Sequence, residues 1–155
     1  MTQILTYEHV QNFSRARKSR DPRLIEPFLD DDVDWLANGP VELLHFCGQR
    51  RGKAEVLDCL TRQHAMVLST FKAEMDILLV DGDRAASQGR MIGTQRRTGR
   101  IIIYSHAQFL LFRDGKIVEC RGIIDTFNAV EQVIGHAIGL PESLRSSSNS
   151  DLIVI

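Results

Sequence analysis

From residue 72 onward the chain is cut into strand-length pieces by short polar turns, and this punctuation limits its fold more than any other feature. Asp81-Gly82-Asp83, Arg97-Thr98-Gly99-Arg100 and Arg113-Asp114-Gly115-Lys116 all read as turns. The pieces between them, residues 72–80, 84–95, 101–112 and 117–125, read as strands, and 101–112 is densely branched and aromatic. Turns this short join antiparallel neighbours, because a parallel connection needs a crossover of a dozen residues or more. The second half is therefore expected to be a run of hairpin-linked antiparallel strands. Gly89, Gly93 and Gly122 lie inside them and predict sharp curvature.

The first half has a helical period. Tyr7, Val10 and Phe13 recur at helical spacing, with Gln11, Arg15 and Lys18 elsewhere on the wheel. Asp21-Pro22 pairs an N-cap with proline at the first helical position. It opens a short helix whose apolar face is Leu24, Ile25, Phe28 and Leu29. Asp30-Asp31-Asp32 is expected to stop it, since negative charge is unfavourable at a helix C-terminus. Residues 33–37 then read as a strand, Asn38-Gly39-Pro40 as a turn, and 42–46 as a second short strand. Gly52 begins a longer helix carrying Val56, Leu60, His64 and Val67 on one stripe.

A closing helix follows the last strand, with Phe127, Val130, Ile134 and Ala137 at helical spacing and Gly139-Leu140-Pro141 at its end. This order predicts one α+β domain over 1–141, in which N-terminal helices pack inside a strongly curved antiparallel sheet and leave a cavity. The serine-rich residues 142–155 are expected to form a mobile tail. Its apolar Leu152-Ile153-Val154-Ile155 end suits a plug for that cavity or a seat on a second copy.

Composition removes several classes of function. With 155 residues, 43% of them hydrophobic, the chain can bury a core without disulfides or a structural metal. A net charge of -1 offers nothing to a nucleic acid or an acidic membrane. Cys47, Cys59 and Cys120 form no CxxC pair or zinc pattern, so they read as reduced, buried thiols of a cytoplasmic protein. No pair of histidines has metal-ligand spacing, and neither metal nor cofactor is expected. Residues 1–10 lack the basic-then-apolar order of a leader, and no apolar run approaches the roughly 20 residues of a membrane span.

Over residues 5–138 the order of elements resembles the NTF2-like superfamily, in its SnoaL-like and ketosteroid-isomerase-like branches. The resemblance is carried by Asp30-Asp31-Asp32-Val33-Asp34-Trp35 ahead of the first strand and by the helix start Arg51-Gly52-Lys53-Ala54-Glu55. It continues in Gly115-Lys116-Ile117-Val118-Glu119 through Asp125. The stretch from Asp125 through Gln132 to Gly135 is similar to the ending of SnoaL-like polyketide cyclases. The resemblance implies a cone whose concave face receives a small-molecule ligand, and a homodimer formed through the outer face of the sheet. It does not imply one reaction.

Three reactions known for such cones can be tested on residues. A ketosteroid isomerase needs a carboxylate base and an oxyanion hole of tyrosine and protonated aspartic acid. The matching positions here hold Ala37 (or Leu36), Phe13 and Gln108, so that set is not retained. Limonene-type epoxide hydrolases use Asp, Arg and Asp. Asp125 matches the last, but Gly89 and Met91 stand at the other two. SnoaL-like cyclases use an aspartate at the Asp125 position as acid/base, and there the match holds. Asp125 is also well placed simply to cap the helix that follows.

Strand alternation sorts the expected ligand-facing wall. Tyr104, His106 and Gln108 share a face with Gly89, Met91, Gly93 and Gln95, and with Cys120, Gly122 and Ile124. Phe13, Trp35 and His64 complete the candidate binding set. His106 is either a base and hydrogen-bond partner or a structural histidine, and His64 faces either cavity or core. The expectation is cofactor-independent acid/base chemistry of isomerase, cyclase or hydratase-lyase type on a medium-sized, partly apolar ligand, with Asp125 and His106 as catalytic groups. The alternative is a non-catalytic ligand-binding or dimeric interaction domain.

Overall fold

A computed structural model describes residues 4–139 and 141–144. Helix α1, Tyr7–Ser19, starts where the Thr6 side chain accepts a hydrogen bond from the His9 N–H, and ends at Arg20 in the left-handed region, φ 54°. It buries Val10, Phe13 and Ala16. Asp21 caps α2, Pro22–Ile25, as its sequence predicts, and a 3-10 turn over Glu26–Phe28 leads into strand β1, Leu29–Ala37.

The aspartate run does not sit at a helix end, contrary to expectation. It lies within β1, where the extended chain lets Asp31 reach Lys53 at 2.6 Å and Asp30 reach Arg113 at 3.8 Å. Leu24, expected on the buried face of α2, is exposed, while Ile25 and Leu29 are fully enclosed. Residues 42–46 are not a strand either. The N–H groups of Leu43 and Leu44 turn back onto the Pro40 carbonyl, and the second strand is β2, Gly48–Arg51. The next helical stretch is continuous but changes pitch: α3, Lys53–Asp58, a π-helical turn over Cys59–Gln63, then α4, His64–Val67. Its expected stripe of Val56, Leu60, His64 and Val67 is buried.

Strands β3, Leu68–Asp81, β4, Arg84–Gln95, β5, Ile101–Arg113, and β6, Lys116–Ile124, are linked by the expected turns. They pair antiparallel in sequence order. The six-stranded sheet runs β2-β1-β6-β5-β4-β3, and β1 lies parallel to β6. The sheet is thus mixed rather than wholly antiparallel. The chain leaves β1 through β2 and the helical layer and re-enters the sheet at the far edge, so β6 meets β1 running in the same direction.

Strand β3 carries an irregularity in its pairing with β4 between Met75 and Ile77, opposite Gly89. A Cβ on Gly89 would overlap the Glu74 carbonyl oxygen, so only glycine admits so close an approach of β3.

Helix α5, Thr126–Ile134, closes the fold. Its buried residues are Ala129 and Val133, whereas Phe127 of the expected stripe is half exposed. Its rotation is set by Gln132. β6 ends at Ile124, opposite His106, so the edge of β5 beyond that point is open. Gln132 closes it, accepting from the Ile103 N–H at 2.7 Å and donating to the Ile103 carbonyl at 2.5 Å. The helix stops at Gly135, φ 86°, short of the expected Gly139-Leu140-Pro141. A 3-10 turn covers Glu142–Leu144; the rest of the expected tail, including Leu152 to Ile155, lies outside the described residues.

The buried side chains form two clusters. One joins α1, β1 and α3 through Phe13, Trp35, Val56, Leu60 and Cys120. The other joins the 44–47 turn, β4, β5 and α5 through Phe46, Met91, Tyr104 and Val133. Among the described residues no helix is long and apolar enough to cross a membrane.

Candidate functional site

The seam between the two clusters is a cavity. Its volume is about 40 Å³, and its walls come from α1, β1, the π-helical stretch, β4, β5 and β6. A second lobe of about 20 Å³ lies toward β3, lined by Ser14, Phe71, Glu74 and Ser87 among others. Arg17, Met91, His106 and Gln108 line both lobes and so stand between them. Larger clefts open on the outer surface, near the Arg113–Gly115 turn, the Leu79–Phe109 region of the sheet and the Glu42–Arg97 rim.

Most of the expected binding residues meet here. Trp35, His64, Met91, Tyr104, His106, Gln108, Gly122 and Ile124 all line the main lobe. Of the two residues, Ala37 and Leu36, expected at the base position of a ketosteroid isomerase, Ala37 lines it as well. Gln95 is buried on the same face but donates to the Val133 carbonyl at 3.2 Å, which ties β4 to α5.

Phe13, Gly89, Gly93 and Asp125 do not line either lobe. Phe13 is fully buried behind Trp35, its ring 5.7 Å from Phe28 and 6.4 Å from Trp35. Gly89 and Gly93 do not widen the cavity. Their missing side chains make room for the backbone at Glu74 and Thr70 and for Leu68. Asp125 is exposed at the start of α5, where its Oδ1 accepts from the Asn128 N–H at 3.2 Å and its own N–H donates to the Ser105 carbonyl. Of the two jobs the sequence allowed it, the capping one is seen.

Arg17 lines both lobes and is absent from the expected set. It comes from the last turn of α1, and its Nη1 donates to Gln108 Oε1 at 3.0 Å. Its guanidinium stands 5.8 Å from the Trp35 ring centroid, within cation–π range. The signal was present: Arg17 follows Val10 by seven residues and Phe13 by four, which puts it on the buried face of the helix.

The charge state of the cavity follows from burial and from Arg17. His64, packed between the rings of Phe46 at 4.9 Å and Phe71 at 4.5 Å, is pushed down to about 3 by burial, then by Arg17 and Arg20. His106 is pushed down to about 4 by burial and then by Arg17, with a backbone contact to Gly89 acting the other way. Both are neutral imidazoles at physiological pH, each with one nitrogen to donate and one to accept. Burial raises the Tyr104 phenol and pushes Cys120 up to about 12, so both stay protonated. Among the described residues no carboxylate lines the main lobe. Cys47, Cys59 and Cys120 are buried free thiols. Among the described residues no three His, Cys, Asp or Glu side chains gather to hold a metal ion.

Residues 10–120 match the SnoaL-like domain family. The structure resembles that of an isomerase candidate from Rhodopseudomonas palustris, with 32% identity, TM-score 0.76, and coverage of 85% of this chain and 100% of that one. An NTF2-like protein from Burkholderia thailandensis shares the fold at 24% identity, TM-score 0.70, over 83% of this chain and 95% of its own. So does an LEH-like epoxide hydrolase from M. tuberculosis, at 16% identity, TM-score 0.66, over 83% and 88%. No curated protein matches the chain.

Proposed function

Because the chain belongs to the SnoaL-like domain family, we propose that its cavity performs cofactor-independent acid–base chemistry, of isomerase or cyclase type, on a small, partly apolar carbonyl compound. One observation carries this reading: His106, neutral and with a buried Nδ1 that has no partner among the described residues, lines the same wall as the Arg17–Gln108 pair. A neutral imidazole takes a proton from the carbon beside the carbonyl, and the C–H electron pair moves onto oxygen as an enolate. Arg17 and the Gln108 amide stabilise that oxygen, and return of the proton to another carbon completes an isomerisation. The base is His106 rather than Asp125, whose carboxylate is engaged at the start of α5. The relative from Rhodopseudomonas palustris, described as an isomerase candidate, supports the same class.

The outer face of the sheet supports a homodimer. Leu79, Ile103, Phe109 and Ile123 are exposed on β3, β5 and β6, and Leu79, Ala86 and Phe109 lie side by side across three strands.

The test of the chemistry is proton–deuterium exchange at the central carbon of 2,4-pentanedione in heavy water, followed by NMR. Acceleration over buffer that is lost in His106→Gln is expected. No acceleration would overturn the catalytic reading and leave a binding protein, which the absence of a carboxylate from the main lobe favours as the second reading.

A further inference from the structure

A guanidinium carries five N–H donors and a charge that cannot be shed. Arg17 uses one donor, to Gln108, and among the described residues no carboxylate lies within ion-pair distance of it. Arg23, Arg62 and Arg90, on open surface, are each paired with an acid at 2.6 to 3.0 Å. Arg17 faces the cavity without an anion beside it, in surroundings where an uncompensated charge is costly.

The cavity is short of partners in a second way. Among the described residues, the buried side-chain polar atoms without a hydrogen bond are His64 Nδ1, Ser87 Oγ and His106 Nδ1. All three belong to residues lining one lobe or the other, and His106 lines both. Such atoms are rare in folded proteins and need an explanation. Here their residues share the walls of the two lobes with Arg17, which lines both.

We propose that Arg17 is the anion-binding residue of the site and that the ligand is a flat organic monoanion. Its negative group is a carboxylate or enolate whose two oxygens face the guanidinium fork, and its apolar body lies against Trp35 and Met91. One charge fits because the imidazoles and thiols around Arg17 add none, and the other charged residues lining the second lobe, Lys18 and Glu74, are opposite in sign. Two oxygens fit because a planar fork matches a planar two-oxygen anion. To seat it, Arg17 and Gln108 part, and their separation joins the two lobes they now divide. The inference rests on the reading of the cavity as a ligand site and deepens it by naming the ligand class, but it does not require turnover.

Benzoate and benzamide provide the test, since they share a shape and differ in charge. Trp35, the sole tryptophan, stands beside Arg17 and reports binding by its fluorescence. The expected result is that the protein binds benzoate about tenfold or more tightly than benzamide. Arg17→Gln should bind both alike, with the benzamide affinity retained as the sign of an intact cavity. Arg17→Lys keeps the charge without the fork and should show a reduced preference, which serves if the glutamine variant does not fold. Equal binding of the two probes by the unaltered protein, a preference that survives in Arg17→Gln, or no binding of benzoate at millimolar concentration would each overturn the proposal. Discrimination without proton exchange would keep this inference and remove the catalytic reading; exchange without discrimination would do the reverse.

Discussion

Arg17 and Gln108 stand 91 positions apart in the chain and meet at 3.0 Å, joining the end of the first helix to the middle of β5 across the cavity. Replacing Gln108 with leucine removes the one protein acceptor seen for the guanidinium. The expected cost is about 1–3 kcal/mol, the range for stranding a partly buried polar group. Urea unfolding followed at Trp35 measures it. An unchanged midpoint would mean that water already satisfies Arg17.

His64 should make the protein sensitive to acid. Its folded-state value is lowered to about 3, whereas the free side chain titrates at about 6.5. Below about pH 6.5 the unfolded chain binds a proton there and the folded chain does not. Stability is therefore lost as the pH falls from about 6.5 toward about 3, by at most about 1.4 kcal/mol per pH unit for this group. His64→Phe, which suits the rings of Phe46 and Phe71, should flatten the pH dependence of stability by nearly one proton between about pH 6 and pH 4. An equally steep profile in the variant would show that His64 is not the source.

Two glycines on the curved sheet should respond differently to alanine. At Gly89 the new methyl group would collide with the Glu74 carbonyl oxygen, a backbone atom that cannot swing aside. A loss of about 3 kcal/mol or more is expected by thermal or urea unfolding. At Gly122 the nearest atoms stand at 3.5 Å, ordinary contact. Gly122→Ala should cost under about 1 kcal/mol but weaken benzoate binding, because it adds a methyl group at the cavity wall.

Asp125 should behave as a cap. Asp125→Ala is expected to lose about 1 kcal/mol of stability and Asp125→Asn a few tenths, since asparagine keeps the accepting oxygen. Neither should change benzoate affinity by more than about twofold. A large loss of binding or of proton exchange in Asp125→Asn, with stability intact, would return this carboxylate to the site.

The outer sheet face yields the last prediction. If copies pair through it, Phe109→Asp places like charges in the contact and should convert a dimer to a monomer in sedimentation. A protein that is monomeric before the substitution would remove the dimer proposal.

Much of the architecture was legible in the chain, and the reason is local. Asp81-Gly82-Asp83 and Arg113-Asp114-Gly115-Lys116 impose hairpins whatever surrounds them, and Asp21 acts within a few residues of itself. Where the sequence reading failed, distant contacts had prevailed over local preference. The aspartate run joined β1 because Lys53 and Arg113 lie near it, and α5 turned Ala129 and Val133 inward because Gln132 is held by Ile103.

The candidate site divides along the same line. Alternation along β4 and β5 was enough to predict Met91, Tyr104, His106 and Gln108 on one wall, because a strand's period of two is a property of its own backbone. The order of elements likewise announced the family. Arg17 was readable from the helical period, yet its meaning was not. That a cation faces Gln108 and Trp35 with no acid beside it, while Asp125 is spent on a helix end, depends on residues brought together from across the chain. Local periodicity determines which way a side chain points; only tertiary packing decides what it finds there.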